Sequence, residues 1–297
     1  MGCNTMSDAE LANEFESHRH HLFGVAYRML GRVVEAEDVV QEAWLRWDGA
    51  DRVAIERPRA WLTTVVSRIA IDRLRSAQAR REAYVGPWLP EPMLTPGDDP
   101  ADHAELADSL SMAFLTMLER LDPIERAAFL LREVFGNDYD EVAATIDRSA
   151  VNCRQIVHRA KERLGPDRPA RFDPGPDEER RLLDSFLAAA ITGDLDALHD
   201  VLAEDVVAWS DGGANQHAAR KPILGRQRVA LFARGIAGKR EQMHSELRVD
   251  HARINGAPGF IAFADGDVFM TMAFDIGADG IRAIHSVLNP DKLEHIG

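Results

Sequence analysis

The sequence predicts a multidomain chain in which two all-α domains are followed by an α+β domain. Apolar residues recur at helical spacing through the first half of the chain. Two proline-rich stretches interrupt this pattern, and runs of β-branched and aromatic residues separated by turn signals fill the last third. The 297 residues exceed the usual size of one domain, about 100 to 200 residues, so each part is expected to hold its own core.

The first predicted domain covers 9–84 and contains three to four helices. Its apolar residues form three groups, and the spacing within each group suits the buried stripe of one helix. A linker is predicted at 85–101 because several prolines and two glycines there disfavour helix. The three apolar groups are Phe15, Leu22, Phe23, Ala26 and Leu30, then Val39, Val40, Ala43, Trp44 and Trp47, then Trp61, Leu62, Val65 and Ile69.

The second predicted domain covers 102–165. Within it, Asp122 supplies a helix cap, Pro123 suits the first helical position and Glu125 places an acid in the first turn. Gly136 is expected to end this helix, because glycine adopts the left-handed conformation that often follows a helix. Two shorter helices are predicted after it.

These two helices have the pattern of a helix-turn-helix. The first covers Asp140 to Ile146, the chain turns at Asp147 and Arg148, and Ser149 caps the second helix. On the second helix, Cys153, Ile156, Val157, Ala160 and Leu164 share one face and are expected to be buried. The outward face suits base edges and phosphates in a major groove, with an amphipathic helix and a solvated basic face as the open alternative. The predicted DNA-binding residues are Arg148, Ser149, Val151, Asn152, Arg154, Gln155, His158, Arg159 and Lys161.

A second linker, 166–176, leads into a third predicted domain at 177–297. A helix is expected from Glu178 to Thr192, and strand-like runs follow, separated by Asn-Gly, Asp-Gly and Ala-Pro-Gly turn signals. The mixture predicts an α+β domain. The strand-like runs are Phe260 to Ala264, Val268 to Ala273 and Ile281 to Leu288.

Charge is distributed unevenly along the chain. The net charge of −14 would disfavour nucleic-acid binding if it were spread uniformly. However, 57–81 carries seven arginines against one acid, and 148–163 carries five basic residues against one acid. These two segments can therefore meet a phosphate backbone although the whole chain is acidic.

Composition also excludes several classes of protein. No apolar run approaches the roughly 18 to 20 residues that a membrane span needs, and 1–16 lacks the features of a secretory signal, so a cytoplasmic protein is expected. The two cysteines, Cys3 and Cys153, are expected to be ordinary thiols rather than a disulfide or a metal site. No cofactor and no metal are expected.

Three motifs of the first domain resemble region 2 of the extracytoplasmic-function (ECF) sigma factors. They are Tyr27 to Gly31 (YRMLG), Glu35 to Trp44 (EAEDVVQEAW) and Arg57 to Leu62 (RPRAWL), and they occur in the family's order. In the same family the helix-turn-helix is region 4. The resemblance implies a non-enzymatic subunit that directs core RNA polymerase to promoters.

The resemblance also implies roles for particular residues. One helix would dock on the clamp helices of the polymerase's largest subunit, and the alternative is a solvated acidic face. The next helix would bind the minus-10 element, with a base pocket in the loop at 48–56. Region 4 would read the minus-35 element and contact the flap of the second-largest subunit. The implied polymerase-binding residues are Asp38, Gln41, Glu42 and Leu45, and the implied minus-10 residues are Thr64, Ser67, Arg68, Ile71 and Arg75.

Three further motifs are similar to those of the sigma factors that carry a carboxyl-terminal SnoaL-like domain. By this resemblance the third domain is a SnoaL-like (NTF2-like) cone that regulates the sigma regions in place of a separate anti-sigma factor. We expect the last motif to dock near the first. The second motif departs from the family, which continues with glycine and lysine where this chain has Ala214 and Asn215; Lys221 is a candidate replacement. The motifs are Trp88-Leu89-Pro90-Glu91-Pro92, Asp211-Gly212-Gly213 and Asn289-Pro290-Asp291-Lys292-Leu293.

Other interpretations remain open at this point. Some SnoaL-like proteins are enzymes, and Asp211, His217, His285 and Trp209 are the polar or aromatic candidates for such a site. The Asp-Gly-Gly motif can also be an ordinary turn after a strand. A one-component regulator with a ligand domain, or an enzyme with a DNA-binding segment, would share the helix-turn-helix but has no use for the motifs of the first domain. The sequence does not specify a ligand.

Overall fold

The computed structural model describes most of the chain, and the described residues form two compact units. Here the helical unit is Met1–Glu82 with Leu118–Pro166, and the sheet unit is Ala83–Met117 with Asp167–Gly297. These units follow packing rather than chain order, so the bounds of the three predicted domains and two predicted linkers stay a prediction. No helix among the described residues is long and apolar enough to cross a membrane. The described residues are 8–51, 54–82, 84–95, 109–165, 175–214, 218–243 and 246–296.

Three long helices begin the helical unit, as the apolar spacing predicts. They are α1 (Asp8–Leu30), α2 (Val33–Asp48) and α3 (Pro58–Glu82). The buried stripe of α2 comprises Ala36, Val39, Val40, Ala43 and Trp47, which recur every three or four residues. Burial of these stripes against one another holds the three helices together.

Local capping signals define the helices that follow. The short helix α4 covers Met112–Leu118, and the residue boundary between the two units falls before its last residue. The side chain of Asp122 accepts hydrogen bonds from the amides of Ile124 and Glu125, and the carboxylate of Glu125 accepts one from the amide of Asp122. The helix α5 therefore begins at Pro123 in a capping box.

The structure corrects the predicted course of this helix. The sequence predicts one helix up to Gly136, whereas α5 (Pro123–Phe129) gives way to a π-helical turn at Leu130–Val134. Gly136 has a φ of 70°, so the predicted left-handed ending is present beyond that turn.

The helix-turn-helix has the predicted form. Asp138 and Glu141 make a second capping box, which begins α6 (Tyr139–Ile146). Asp147 adopts a left-handed conformation with a φ of 54°, and the hydroxyl of Ser149 then caps α7 (Ala150–Leu164). The turn is tight because aspartate tolerates positive φ better than most residues.

A six-stranded sheet forms the centre of the sheet unit. The strand order is β2-β1-β6-β5-β4-β3, and all neighbours are antiparallel except β1 and β6, which are parallel. This confirms the predicted α+β class. The strands are β1 (Leu202–Asp211), β2 (Ile223–Leu224), β3 (Leu247–Ile254), β4 (Ala257–Ala264), β5 (Asp267–Gly277) and β6 (Gly280–Val287); the helices are α8 (Pro176–Thr192), α9 (Leu195–Val201) and α10 (Arg226–Met243), with a final 3-10 turn at Pro290–Lys292.

The two faces of this sheet bury different parts of the chain. Phe274 and Ile284 pack in a core with Leu183 and Phe186 of α8. Their strand neighbours point to the opposite face, where Ala273 and Val287 pack with Leu89, Met112 and Leu293. The predicted linker is therefore part of the sheet unit's second core, with the side chain of Leu89 fully buried.

Candidate nucleic-acid and regulatory interfaces

The face of α2 predicted to bind polymerase carries acids around an exposed leucine. Asp38, Gln41, Glu42 and Leu45 are spaced so that they share one side of the helix. Leu45 is 69% exposed, one of the most exposed large apolar side chains among the described residues. Arg73 of α3 approaches Asp38 at 3.3 Å and Glu42 at 3.5 Å, which fixes these acids without covering the leucine.

The outward face of the second helix of the helix-turn-helix is open to solvent. Val151 is 64% exposed, and Arg154, Gln155, His158 and Arg159 are also exposed. The predicted buried stripe is confirmed except at Leu164, which is only partly buried because α7 ends there. Burial raises the pKa of the Cys153 thiol, as expected for an unreactive cysteine. Cys3 lies outside the described residues.

Other predicted DNA-binding residues sit at the edges of this face. Arg148 and Ser149 are exposed, and the amide of Asn152 donates to the hydroxyl of Ser149 at 3.2 Å. Lys161 pairs with Glu133 at 2.6 Å. Among the described residues, no ion pair is made by Arg154 or Arg159 on this face. His158 lies 3.5 Å from Glu162 of the same helix.

The residues predicted to bind the minus-10 element lie in a different environment. Ser67 is fully buried and Ile71 is 4% exposed. Thr64 and Arg68 make hydrogen bonds to α6. Arg68 and Arg75 are exposed, and Arg75 makes an ion pair to Asp72 at 3.4 Å. The expected DNA-facing surface is thus partly covered by protein.

Asp211 at the end of β1 anchors the predicted linker to the sheet. One carboxylate oxygen accepts from the hydroxyl of Tyr84 at 2.5 Å and from the amide of Gly213 at 3.1 Å. The other accepts from the amide of Leu89 at 2.8 Å and from the ammonium of Lys292 at 2.8 Å. This buried carboxylate therefore accepts hydrogen bonds from four donors.

Lys292 joins the carboxyl-terminal motif to the same place. Its side chain is almost completely buried and also donates to the carbonyl of Leu89. The ammonium lies 4.2 Å from the ring centroid of Trp88 and 5.1 Å from that of Tyr84, within the range of a cation–π interaction. Lys221, the candidate replacement for the family's lysine, is exposed, and Lys292 is the cation that reaches Asp211.

The expected docking of the carboxyl-terminal motif near the linker motif is present in the structure. His295 lies 2.7 Å from the carbonyl of Pro92, and Asn289 donates to the hydroxyl of Tyr84 at 2.8 Å. A methyl group on Gly213 would lie 2.9 Å from Asn289, so this glycine allows the close approach. Of the predicted regulatory residues, Leu89, Pro90, Glu91, Pro92, Asp211, Gly212, Gly213, Asn289, Lys292 and Leu293 are buried, Trp88 is partly buried, and Pro290 and Asp291 are exposed.

Some anchoring residues were missed by the sequence analysis. The amide of Asn255 donates to the carbonyl of Met93 at 2.8 Å. The side chain of Asn255 accepts from the Met93 amide at 2.9 Å and donates to the carbonyl of Leu110 at 3.0 Å. It was predicted only as half of an Asn-Gly turn, and its φ of 54° fits that turn. Tyr84 gave no signal beyond being aromatic.

The candidate catalytic residues do not form an open site among the described residues. His285 is 1% exposed and stacks on Trp209 with ring centroids 4.8 Å apart. Burial lowers the pKa of His285, partly offset by Asp275, whose nearest oxygen is 4.0 Å from Nδ1. Asp211 is occupied by the linker, and His217 lies outside the described residues. The Asp-Gly-Gly motif does form a turn, with a φ of 60° at Gly213.

Comparison with known proteins identifies the two helical regions. Residues 15–80 match the model for sigma-70 region 2, and residues 111–164 match the model for sigma-70 region 4. These two regions define a sigma factor of the sigma-70 class.

Relatives that match nearly the whole chain narrow this class. The ECF RNA polymerase sigma factor SigJ of Mycobacterium tuberculosis is 38% identical over 94% of this chain and 92% of its own length. The probable ECF RNA polymerase sigma factor SigI of the same species is 34% identical over 94% of this chain and 93% of its own. The crystal structure of SigJ matches with a TM-score of 0.72 at 33% identity, covering 95% of this chain and 98% of that one. The chain belongs to the ECF RNA polymerase sigma factors.

Proposed function

We propose that this sigma factor acts in the cytoplasm by docking α2 on the clamp helices of the largest subunit of core RNA polymerase and region 4 on the flap of the second-largest subunit. The exposed Leu45 within an acidic helix face supports the first contact, because an apolar anchor surrounded by polar residues is typical of interface hot spots. In this assembly, α3 binds the minus-10 element and α7 binds the minus-35 element of promoter DNA.

The exposed face of α7 supports the minus-35 assignment. Arginine and glutamine side chains can make paired hydrogen bonds to base edges in the major groove. Arg154 and Gln155 lie at the centre of this face, and Arg148, Arg159 and Lys161 lie at its sides, where cations meet phosphates.

The sheet unit is proposed to control the sigma regions in cis, in place of a separate anti-sigma factor. The observation that carries this proposal is the buried ion pair between Lys292 and Asp211, which holds the chain between regions 2 and 4. Removing one partner of a buried ion pair destabilises a protein by about 3–5 kcal/mol, because the other charge stays buried without a partner. The pair therefore fixes the linker strongly. The linker connects the two DNA-binding regions. Its release from the sheet would change how far apart these two regions can lie.

Run-off transcription with core polymerase tests this control. Lys292→Met should change the transcription rate of the full chain at least about fivefold, since even about 1 kcal/mol shifts an equilibrium by that factor. Arg282→Met is the matched control, because Arg282 forms an exposed ion pair with Asp279 on the same sheet. Equal rates for Lys292→Met and Arg282→Met, with the linker shown to be released, would refute control through the linker.

A further inference from the structure

An exposed valine lies at the start of the recognition helix α7. Val151 is the second residue of α7 (Ala150–Leu164) and is 64% exposed. Among the large apolar side chains that the structure describes, only Leu45 is more exposed. An apolar side chain left in water forgoes the free energy that its burial would contribute. A partner that covers Val151 would recover this free energy.

The packing of α7 does not use Val151. The buried stripe of the helix comprises Cys153, Ile156, Val157 and Ala160. Val151 precedes Cys153 by two residues, which is about 200° around a helix with about 3.6 residues per turn. Its side chain therefore points away from the core of region 4, and the fold does not require an apolar residue at this position.

Val151 lies at the end of α7 from which a recognition helix reaches base edges. In a helix-turn-helix, the amino-terminal residues of the second helix contact the bases in the major groove. Gln155 and His158 follow Val151 by four and seven residues, so the three side chains form one row on the outward face. The hydroxyl of Ser149 accepts from the amide of Asn152 at 3.2 Å and thereby fixes the first turn.

The side chain of valine is also stiff. Branching at Cβ leaves one strongly preferred χ1 rotamer in a helix, so the two methyl groups of Val151 keep one orientation relative to α7. A stiff side chain loses little conformational entropy when a partner covers it. Val151 can therefore distinguish between surfaces by their shape and polarity.

Cations surround Val151 on the surface of region 4. Arg148 precedes it by three residues, Arg154 follows it by three, and both are exposed. The segment 148–163 carries five basic residues against one acid. An apolar protein surface would leave these cations without partners, whereas the phosphates on both sides of a major groove provide partners for them. The charges favour duplex DNA as the occupant of this face.

The base edges in the major groove differ in whether they suit an apolar side chain. Guanine, adenine and cytosine present only hydrogen-bonding groups there, whereas thymine also presents its 5-methyl group. A valine placed over a polar edge would displace water without replacing the hydrogen bonds of that water, which is unfavourable. Over the methyl group of thymine, the same valine buries apolar surface on both partners.

We propose that Val151 is a specificity-determining residue of this sigma factor, which reads one thymine of the minus-35 element by contact with the 5-methyl group. Gln155, the next side chain in the row, lies over an adjoining base pair, where glutamine suits adenine. The contact rests on the proposed binding of α7 to the minus-35 element and assigns one base within that element.

Removal of single methyl groups from DNA tests this contact. The full chain with core polymerase is bound to duplexes of the promoter upstream of the protein's own operon. Each thymine of the minus-35 element, on either strand, is replaced in turn by deoxyuridine, which lacks only the methyl group. The affinity of the holoenzyme, measured by fluorescence anisotropy at one salt concentration, should fall about three- to fivefold at one thymine, the effect of losing the burial of one methyl-sized group.

Truncation of the valine tests the protein side of the same contact. Val151→Ala removes the two methyl groups and suits a helix. This variant should bind the thymine and deoxyuridine duplexes with nearly equal affinity, because the methyl group of the base has lost its partner. Ile191→Ala is the matched control. Ile191 is a β-branched residue of α8 that is 56% exposed, and its truncation should leave the wild-type sensitivity to deoxyuridine unchanged.

A second probe restores the methyl group on a different base. Cytosine and 5-methylcytosine, each paired with guanine, replace the sensitive thymine and its adenine. The wild-type holoenzyme should bind the 5-methylcytosine duplex more tightly than the cytosine duplex, because the methyl group occupies the same place in the groove. Val151→Ala should not distinguish the two duplexes.

The outcomes separate this contact from the proposed function. Binding that depends on the minus-35 element but has no sensitive thymine would overturn the contact and leave the sigma activity intact. Sensitivity to deoxyuridine that survives Val151→Ala would do the same. Wild-type binding that is independent of the minus-35 sequence would instead overturn the assignment of α7 to this element.

Discussion

The contacts of Tyr139 predict that it positions Arg154, an arginine proposed to bind DNA. Its ring centroid lies 4.7 Å from the guanidinium carbon of Arg132 and 4.9 Å from that of Arg154. Arg132 is held in turn by the carbonyl of Asn137 at 2.8 Å. The aromatic ring therefore restrains Arg154, which otherwise extends into solvent on the outward face of α7.

Replacing this ring should weaken minus-35 binding without affecting folding. Tyr139→Leu should lower the affinity of the holoenzyme for minus-35 DNA about two- to fivefold, since an exposed cation–π interaction contributes about 0.5–1 kcal/mol. Tyr139→Phe keeps the ring and should bind like the wild type, as measured by fluorescence anisotropy. Equal losses for leucine and phenylalanine would contradict a positioning role.

His21 predicts how the helical unit responds to acid. Burial, followed by the nearby charge of Arg59, lowers the pKa of His21 from 6.5 to about 4, and the ring lies 3.1 Å from the hydroxyl of Thr63. The unfolded chain therefore binds a proton at this residue at a higher pH than the folded chain does. The contribution of His21 to stability is complete above pH 6.5 and is lost as the pH falls towards 4.

Chemical unfolding of the full chain as a function of pH measures this effect. The free energy of unfolding should decline between pH 6.5 and 4 more steeply in the wild type than in His21→Gln, which cannot titrate at this position. His20, an exposed neighbour, provides the matched control His20→Gln. Identical pH profiles for wild type and His21→Gln would show that this histidine does not carry the effect.

Single residues show which local signals the sequence makes visible. Asp122 and Ser149 each begin a helix as predicted, because a cap acts within three residues of itself. Tyr84 and Asn255 were not identified as anchors, since their partners are more than a hundred residues away in the chain. No local pattern reports such a pairing.

At the scale of elements, the linker is the segment whose structure differs most from the prediction made from its proline content. Prolines predicted a connector without regular structure, and the described part, 84–95, contains no helix and only one isolated bridge, from Leu94 to Ile254. It is nevertheless an integral part of a core, because Leu89 packs with Val287 and Leu293 on the sheet. The family motif predicted its docking, whereas proline content did not.

The buried pair between Lys292 and Asp211 should dominate the stability of this docking. Lys292→Met should release the linker at a cost of about 3–5 kcal/mol, because it leaves a buried carboxylate without its cation. The double variant Lys292→Met with Asp211→Asn should lose less than this, since no unpaired charge stays buried. Replacing Arg282, in its exposed pair, should have almost no effect.

Hydrogen exchange at the Leu89 amide reports this loss directly. The amide donates to Asp211 at 2.8 Å in the wild type, so exchange should be slow there and fast in Lys292→Met. The double variant should lie between the two. Protection at Leu89 that survives Lys292→Met would show that the ion pair does not hold the linker.

The helix α3 shows why the exposure of a candidate DNA-binding face was only partly predictable. Its apolar spacing correctly assigned Trp61, Leu62, Val65 and Ile69 to one side, of which Leu62 is fully buried. Thr64, Ser67 and Ile71 were expected to be accessible because a helix was expected to have a single packed side, whereas Ser67 and Ile71 are buried. In the structure α3 also packs on its second side, where Thr64 and Arg68 make hydrogen bonds to α6.

At the scale of the whole molecule, the order of two helical regions and an α+β domain was predictable, and the grouping into two compact units was not. Helical spacing, caps and strand runs are local, so they survive in a single sequence. The joining of region 2 to region 4 depends on contacts such as Arg126 with Met29, which cross a long stretch of chain. The family resemblance supplied the function because its motifs lie in the region that distinguishes a polymerase subunit from a regulator or an enzyme.

Run-off transcription from the promoter upstream of the protein's own operon, with purified core RNA polymerase, tests the central claim most directly. We predict specific transcripts with core polymerase and the full chain together, and none with core polymerase alone. A chain that neither binds core polymerase nor yields a transcript would contradict the account of this protein as a promoter-specificity subunit.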